Sequence, residues 1–191
     1  MDTADVVVGK VPDEALGLEI YAKLAAKGFC VITPELEKGT LEQAWSELEE
    51  LESSKWCVVH PAIQNGLLGP RGSCSIAELE SPELNRELRA DGEALVRLDG
   101  MLTDLGLRTE PYLHDLHVEI SHRTIAVAHR TWKPNASDPE DAVLLTEQEA
   151  SKWLVQFLRH RLMVLLILGP ASGDLHLQPY ATDDVETYKV Q

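Results

Sequence analysis

Residues 157–180, FLRHRLMVLLILGPASGDLHLQPY, decide the predicted fold class of this chain. The seven uninterrupted apolar residues at 162–168 are typical of a central strand that is buried on both faces. After a turn rich in Gly and Pro, apolar and polar residues alternate over 175–179 and predict the next strand. An Ala-Thr-Asp-Asp turn precedes a third predicted strand at 185–190. We therefore expect three neighbouring antiparallel strands in this part of the chain.

The segments at the start of the chain have mainly helical patterns. Pro12 and Gly28 bracket apolar residues at helical spacing, with Pro12 in the first turn and Gly28 as a left-handed stop. Thr40 and Gln43 form a capping-box pattern before a second amphipathic helix. A longer helical pattern begins at Ser81-Pro82 and ends at Gly106, with glycines that favour a break into two helices.

Shorter signals lie between and after these helices. FCVI at 29–32 predicts a short buried strand. Apolar and polar residues alternate over 116–121, which has the period of a strand with one buried face, and TIAVAHRTW at 124–132 predicts its neighbour. Thr146 and Glu149 form another capping-box pattern at the start of a helix.

This order of elements indicates an α+β fold with N-terminal helices packed on an antiparallel sheet. The chain has 191 residues, of which 44% are hydrophobic, enough for one sizeable core. We expect a single domain over 1–191. Residues 1–110 would form a mainly helical support region, and residues 111–191 would be mainly β.

Composition excludes several classes of partner. The formal net charge of -15 repels phosphate backbones and anionic lipid surfaces, so we expect neither nucleic acid nor a membrane as a partner. Cys30, Cys57 and Cys74 are odd in number and contain no C-x-x-C pair, which argues against a disulfide framework and a zinc site. The sequence shows neither a signal-peptide core nor an apolar run long enough to span a bilayer. We therefore expect a soluble, cytoplasmic protein.

Several pieces of the sequence, in this order, carry a family resemblance. They are KGFCVI (27–32), a helix bearing Trp45, GPRGSCSIAEL (69–79), HRTIAVA (122–128) and LMVLLILGPASGDLHLQPY (162–180). Together they resemble the opening of the 2-oxoglutarate and Fe(II) dependent dioxygenases of prolyl-hydroxylase type. The resemblance implies helices that support an incomplete double-stranded β-helix, or jelly roll. It also implies Fe(II) and 2-oxoglutarate as cofactors, and hydroxylation of a protein or small-molecule substrate.

The resemblance also says where iron ligands are expected. In this family two histidines and one carboxylate hold the iron, and the first two ligands form a His-x-Asp or His-x-Glu pair. His117 and Glu119 are the one such pair in the sequence, and they are the candidate metal ligands. On a strand, residues two apart project to the same side, so these two could share a metal. The alternative is a solvated strand face.

Two departures from the family pattern affect the functional prediction. The pair at His117 comes about one strand earlier than the resemblance would place it, and His160-Arg161 supplies no such pair. The sequence ends before the expected distal histidine and the basic residue that would bind the cosubstrate. The resemblance therefore implies a dioxygenase-like domain that is incomplete or inactive as this chain.

For several other candidate sites, a purely structural role is an alternative to a functional one. Histidines at 114, 117, 122 and 129 would be notable if they converged. Ser73-Cys74-Ser75 lacks an accompanying base, and Arg71 and Arg123 are expected to pair with acidic groups. The loop over 60–79 either borders a site or is a plain connection.

Two further functional alternatives remain open. The chain could be a non-catalytic binding or interaction module on the same scaffold, or an unrelated α+β protein. The strand predicted at 185–190 would be a sheet edge, so an edge-strand partner is expected to cover it.

Overall fold

The computed structural model describes residues 4–51, 53–57, 60, 74–79, 93–132, 146–153, 161–169, 173–177 and 186–190. These residues form a mixture of helices and strands, in agreement with the α+β prediction. The helices are α1 (Asp13–Lys27), α2 (Thr40–Glu50), α3 (Glu93–Thr109) and α4 (Glu147–Trp153), with 3₁₀ helices at Ser53–Lys55 and Glu110–Leu116. The strands are β1 (Val6–Val7), β2 (Ile32–Thr33), β3 (Cys74–Glu78), β4 (Val127–Thr131), β5 (Gly173–Leu177) and β6 (Glu186–Val190).

Pairing of the described strands gives three separate two-stranded sheets. β1 pairs with β2 in parallel, whereas β3 with β4 and β5 with β6 are antiparallel. The chain divides into two compact units, one of Met1–Trp45, Arg97–Ile120 and Leu162–Gln191, the other of Ser46–Val96 and Ser121–Arg161. A single domain over 1–191, mainly helical up to residue 110 and mainly β from residue 111, remains a prediction, although the chain divides into these two units.

The first unit has its own small apolar core. Four side chains from β1, α1 and α3 are buried together, with exposed fractions of 8% or less: Val6, Leu16, Ile20 and Leu105. Partly buried apolar residues surround them, among them Leu24, Cys30 and Ile32. Because these residues come from a helix, a strand pair and a distant helix, burial of their apolar surface holds the three together.

The limits of α1 agree with the sequence prediction. Pro12 stands immediately before the helix, where its missing N–H costs no hydrogen bond. Gly28 has φ 80° and donates its N–H to the carbonyl of Leu24 over 2.8 Å. A left-handed residue with this bond ends a helix and satisfies one of its last carbonyls. By contrast, the strand predicted at 29–32 is limited to Ile32–Thr33.

The predicted end of α3 at Gly106 is wrong, and the helix also continues through Gly100. It runs to Thr109, a buried residue whose hydroxyl donates to the carbonyl of Leu105 over 2.7 Å. Burial of Leu105 and Thr109 on the same face outweighs the low helix propensity of glycine. The first part of this pattern, 81–92, lies outside the described residues.

The C-terminal strand prediction is confirmed for two of its three segments. β5 and β6 pair in antiparallel register, with Leu175 opposite Tyr188 and His176 opposite Thr187. The buried central strand predicted at 162–168 is wrong, since these residues form no strand and several side chains are exposed: Met163 48%, Val164 37%, Leu165 56% and Ile167 39%. A run of apolar residues shows a tendency to be buried, but it does not specify a pairing partner.

The strand predicted at 116–121 is also wrong. The 3₁₀ helix continues from α3 to Leu116, and His117 ends it with φ 57°. Val118 then donates its N–H to the carbonyl of Leu113 over 3.2 Å. This helix end satisfies the backbone locally, and Leu113, 1% exposed, anchors it in the interior. The alternation of apolar and polar residues over 116–121 therefore does not mark a strand that pairs in a sheet.

The second unit contains the antiparallel β3–β4 pair and α4. Five residue pairs join β3 to β4, from Cys74 with Thr131 to Glu78 with Val127. On its other side β3 meets Cys57, which exchanges two backbone hydrogen bonds with Ile76 at 2.8 and 3.0 Å. α4 follows Thr146, as predicted, and its Trp153 is buried. None of the helices in the described part of the chain combines the length and apolar character that a membrane crossing requires.

Candidate functional site

The structure places the two predicted metal ligands in a helix-ending turn instead of on a strand. His117 has a left-handed backbone and donates its N–H to the carbonyl of His114 over 2.9 Å. Both His117 and Glu119 are exposed. The reason for expecting their side chains to project together, alternation along a strand, therefore does not apply here.

Iron chemistry sets a clear requirement for this pair. A histidine and a carboxylate are donor types that suit Fe(II), but the site expected from the resemblance needs a third ligand. Within the ranges that the structure describes, no group of three or more His, Cys, Asp or Glu side chains is arranged to hold a metal ion. The described residues thus do not form the expected three-ligand set.

The other predicted residues are dispersed. A ring nitrogen of His114 lies 2.7 Å from a carboxylate oxygen of Asp115, and a ring nitrogen of His122 forms a hydrogen bond with the hydroxyl of Ser121 at 2.9 Å. His129 lies on β4, opposite Ile76 of β3. Arg71 lies outside the described residues, as does most of the predicted loop over 60–79.

Two residues of the Ser73-Cys74-Ser75 segment, the candidate for nucleophilic catalysis, lie in a buried strand. Cys74 and Ser75 are in β3, with exposed fractions of 0% and 4%, instead of in a loop. A buried hydroxyl or thiol in a strand is not presented to a substrate. Burial also raises the pKa of the Cys74 thiol, which lowers its thiolate fraction at neutral pH.

A groove in the second unit brings together side chains from three separated segments. It has a volume of about 860 Å³ and is open to solvent. The end of β3, the segment before β4 and one face of α4 contribute its described lining residues: Glu78, His122, Arg123, Thr124, Ile125, Glu147, Gln148, Ser151 and Lys152. We call this feature the α4 groove.

Local contacts explain how the α4 groove is built. Leu79 donates its N–H to the carbonyl of Ala126 over 2.8 Å, so the β3–β4 pairing continues beyond the ladder and fixes the segment before β4. Lys152 forms an ion pair with Glu78, which joins α4 to the end of β3. The buried indole of Trp153 anchors α4 next to this ion pair.

The charge of the α4 groove differs from that of the whole chain. Among the lining residues that the structure describes, two cations, Arg123 and Lys152, balance two carboxylates, Glu78 and Glu147, whereas the chain carries a formal net charge of -15. Thr124, Gln148 and Ser151 add neutral hydrogen-bonding groups. A ligand with charges of both signs could therefore find partners in the groove.

Sequence reasoning singled out Arg123 and His122 but did not connect them to a groove. Thr124 and Ile125 follow them in the chain, whereas the other described lining residues come from segments near 78 and 150, and no motif links those segments. For the lining residues on α4, the sequence could predict only that residues 147, 148, 151 and 152 share one face of a helix.

Comparisons with protein-family models, with curated proteins and with solved structures give no match to this chain.

Proposed function

We propose that this chain is a non-catalytic binding module whose α4 groove holds an extended peptide segment of a partner protein. The observation that carries the proposal is the balance of charge among the described lining residues of an open groove in a strongly acidic chain. A volume of about 860 Å³ is within the range of about 300–1,000 Å³ typical of ligand sites.

The shape of the α4 groove favours a peptide over an enclosed small molecule. Small-molecule sites bury most of the ligand surface, whereas this groove is open to solvent. Ile125, which is 40% exposed, offers an apolar contact between the charged residues. A peptide with mixed charges would place its carboxylates near Arg123 or Lys152 and its cations near Glu147.

The experiment starts from a random-peptide display library selected on the intact chain. An enriched peptide is then titrated into ¹⁵N-labelled protein, and we expect shift changes at residues 78, 122–125 and 147–152. Enrichment of no peptide, or shift changes only elsewhere, would contradict the proposal.

A charge exchange tests the role of the charges in the groove. The double variant Glu78→Lys with Lys152→Glu keeps opposite charges at both positions but inverts their order in the groove. We expect peptide affinity to fall by about tenfold, or about 1.4 kcal/mol, with little change in stability. The variant Glu49→Lys, on an exposed position of α2, should leave peptide affinity unchanged.

A second candidate function is the hydroxylase-type dioxygenase domain that the resemblance implies, with a jelly roll that includes β5 and β6. The antiparallel pairing of Gly173–Leu177 with Glu186–Val190 favours it, because the resemblance places these segments in one roll. The chemistry would need iron ligands beyond the set that the described residues provide. A strand partner for the β6 edge belongs to the same proposal.

Ligand-induced stabilisation tests this second candidate. Fe(II) at about 100 times its dissociation constant, without oxygen, would alone stabilise the chain by about 2.7 kcal/mol, and 2-oxoglutarate bound together with it would add to this stabilisation. The double variant His117→Ala, Glu119→Ala should lose this stabilisation if these residues bind iron, whereas His176→Ala should keep it. An unchanged melting temperature of the wild-type chain would contradict the dioxygenase proposal.

A further inference from the structure

Arg130 of β4 and Trp56 form a stacked pair in the second unit. The guanidinium carbon of Arg130 lies 4.0 Å from the centre of the Trp56 ring. A cation over an indole face at this distance is attracted by the electron-rich ring. The pair is separate from the α4 groove, since neither residue lines it.

The strand register explains why the two side chains meet. Arg130 is opposite Ser75, and Ala128 is opposite Ala77, so these four residues share one face of the β3–β4 pair. The bridge between Cys57 and Ile76 places Trp56, one residue earlier, on that same face. Arg130 therefore reaches Trp56 across β3.

The residues between them leave room for this crossing. Ser75 and Ala77 are small and are 4% and 1% exposed. The long apolar stem of an arginine can lie along such a surface while its charged end remains in water. Contact with the indole face restrains the guanidinium, and because Arg130 is exposed, its N–H donors can still bind a ligand.

Two other arginines lie close to carboxylates, whereas Arg130, among the described residues, does not. Arg97 lies 3.7 Å from a carboxylate oxygen of Glu37, and Arg108 lies 2.6 Å from one of Asp104. Arg130 is exposed, and across the described ranges it has no carboxylate partner. The planar fork of N–H donors on a restrained guanidinium matches the geometry of a carboxylate.

We propose that Arg130, held by Trp56, binds the carboxylate of a small organic acid whose apolar part contacts Trp132. Trp132 is 43% exposed and follows Arg130 by two residues, so continued alternation would put it on the Arg130 face. The net charge of -15 disfavours a polyanion. A single carboxylate interacts mainly with nearby charges, because salt screens charges that are more than about 8 Å away.

Nuclear magnetic resonance tests this site with benzoate as the probe and acetate as its small counterpart. Titration at constant ionic strength should shift the indole N–H signals of Trp56 and Trp132 and the side-chain N–H signal of Arg130. Benzoate should bind at millimolar concentration and at least about threefold more tightly than acetate, because only benzoate has an apolar part. Equal affinities would overturn the role of Trp132.

Matched lysine substitutions decide the role of Arg130. Arg130→Lys keeps the charge but loses the planar fork, and we expect benzoate affinity to fall at least about fivefold. Arg161→Lys, at another exposed arginine of the same unit, should leave it unchanged. A backbone spectrum that matches the wild type will show that each variant is folded. Unchanged affinity in Arg130→Lys, or an equal loss in Arg161→Lys, overturns the proposal.

Discussion

Gly17 of α1 lies directly against the main-chain carbonyl of Arg108 in the last turn of α3. A Cβ atom at position 17 would overlap this carbonyl oxygen and would lie 3.1 Å from a ring carbon of Tyr112. The backbones of α1 and α3 therefore approach each other at a point where only glycine fits. This approach brings Leu16 and Ile20 of α1 into the core with Leu105.

The first prediction concerns Gly17→Ala. Alanine has the higher helix propensity by about 1 kcal/mol, but the overlap involves a backbone atom, which cannot move aside without shifting a helix. We expect a net destabilisation of about 1–3 kcal/mol in urea denaturation. Gly100→Ala is the control, because no atom lies within 4 Å of its added Cβ, and it should stabilise α3 by about 0.5–1 kcal/mol. Equal effects at the two positions would contradict the close approach.

A second prediction concerns the start of α3. Glu47 of α2 accepts hydrogen bonds from the backbone N–H groups of Ala94 and Leu95, at 3.1 and 2.9 Å. A carboxylate at this position satisfies N–H groups that have no partner within the helix and interacts favourably with the helix dipole.

We expect Glu47→Ala to destabilise the chain by about 1–2 kcal/mol. Glu47→Gln should cost less, because its amide oxygen can still accept one of the two bonds. The control is Glu49→Ala, an exposed position of the same helix. Thermal or urea unfolding of the three variants checks the order, and a cost for Glu49→Ala as large as for Glu47→Ala would refute it.

A third prediction concerns the pH dependence of stability at Asp5. Its carboxylate contacts the ammonium of Lys27 at 2.7 Å and accepts the N–H of Val31 at 2.8 Å. Burial alone would raise the pKa of Asp5, but the bonds from Lys27 and Val31 lower it below its ordinary value of 3.8. A lowered pKa in the folded state means a stabilisation that is present above pH 3.8 and is lost as the pH falls through the folded-state value.

Asp5→Asn should therefore destabilise the chain at pH 7 by about 1 kcal/mol, a low value because Lys27 is partly exposed. The difference between wild type and variant should shrink below pH 4 and vanish in stronger acid. Urea denaturation at several pH values measures it. A difference that is constant from pH 7 to pH 3 would contradict the role of the charge.

Local signals account for the parts of the fold that the sequence predicted. Gly28 ends α1 because its own conformation and one backbone bond are sufficient to stop a helix. The alternation around Leu175 and Leu177 predicted β5, and the nearby turn predicted its pairing with β6. These features depend on neighbouring residues, which a single sequence displays.

Features that depend on distant residues were missed or misassigned. Residues 116–121 alternate like a strand, yet burial of Leu113 and the bonds at His117 extend a helix into them. The α4 groove and the Arg130–Trp56 pair combine segments far apart in the chain, and their residue types carry no motif. Charge balance and side-chain stacking of this kind become visible only after folding.

A fourth prediction distinguishes the sequence-based expectation for 162–168 from the structure. Leu165 is 56% exposed, so Leu165→Lys should change the free energy of unfolding by less than about 0.5 kcal/mol. A buried central strand would instead lose several kcal/mol on gaining an unpaired charge. Leu113→Ala, at a side chain 1% exposed, is the reference and should cost about 2–5 kcal/mol. A cost above about 2 kcal/mol for Leu165→Lys would restore the buried-strand prediction.

The fifth prediction concerns the reactivity of the three cysteines. Cys57 is exposed, whereas Cys74 is buried and Cys30 is partly buried. Burial raises the pKa of the Cys30 thiol to about 11, and the nearby Asp5 carboxylate contributes to the rise. Because the thiolate is the reactive species, Cys30 should react very slowly near pH 8. We expect a disulfide reagent such as Ellman's to modify one thiol rapidly in the folded chain, and all three after unfolding.

Substitutions assign the fast thiol. Cys57→Ser should remove the rapid phase, and Cys30→Ser should leave it unchanged. Raising the pH toward 11 should accelerate the Cys30 reaction, since its thiolate fraction grows as the pH approaches the raised pKa. Asp5→Asn should shift this acceleration to lower pH, because it removes a negative charge that opposes thiolate formation at Cys30. A rapid Cys30 reaction at pH 8 in the folded wild-type chain would show that this thiol is neither shielded nor held in its protonated form.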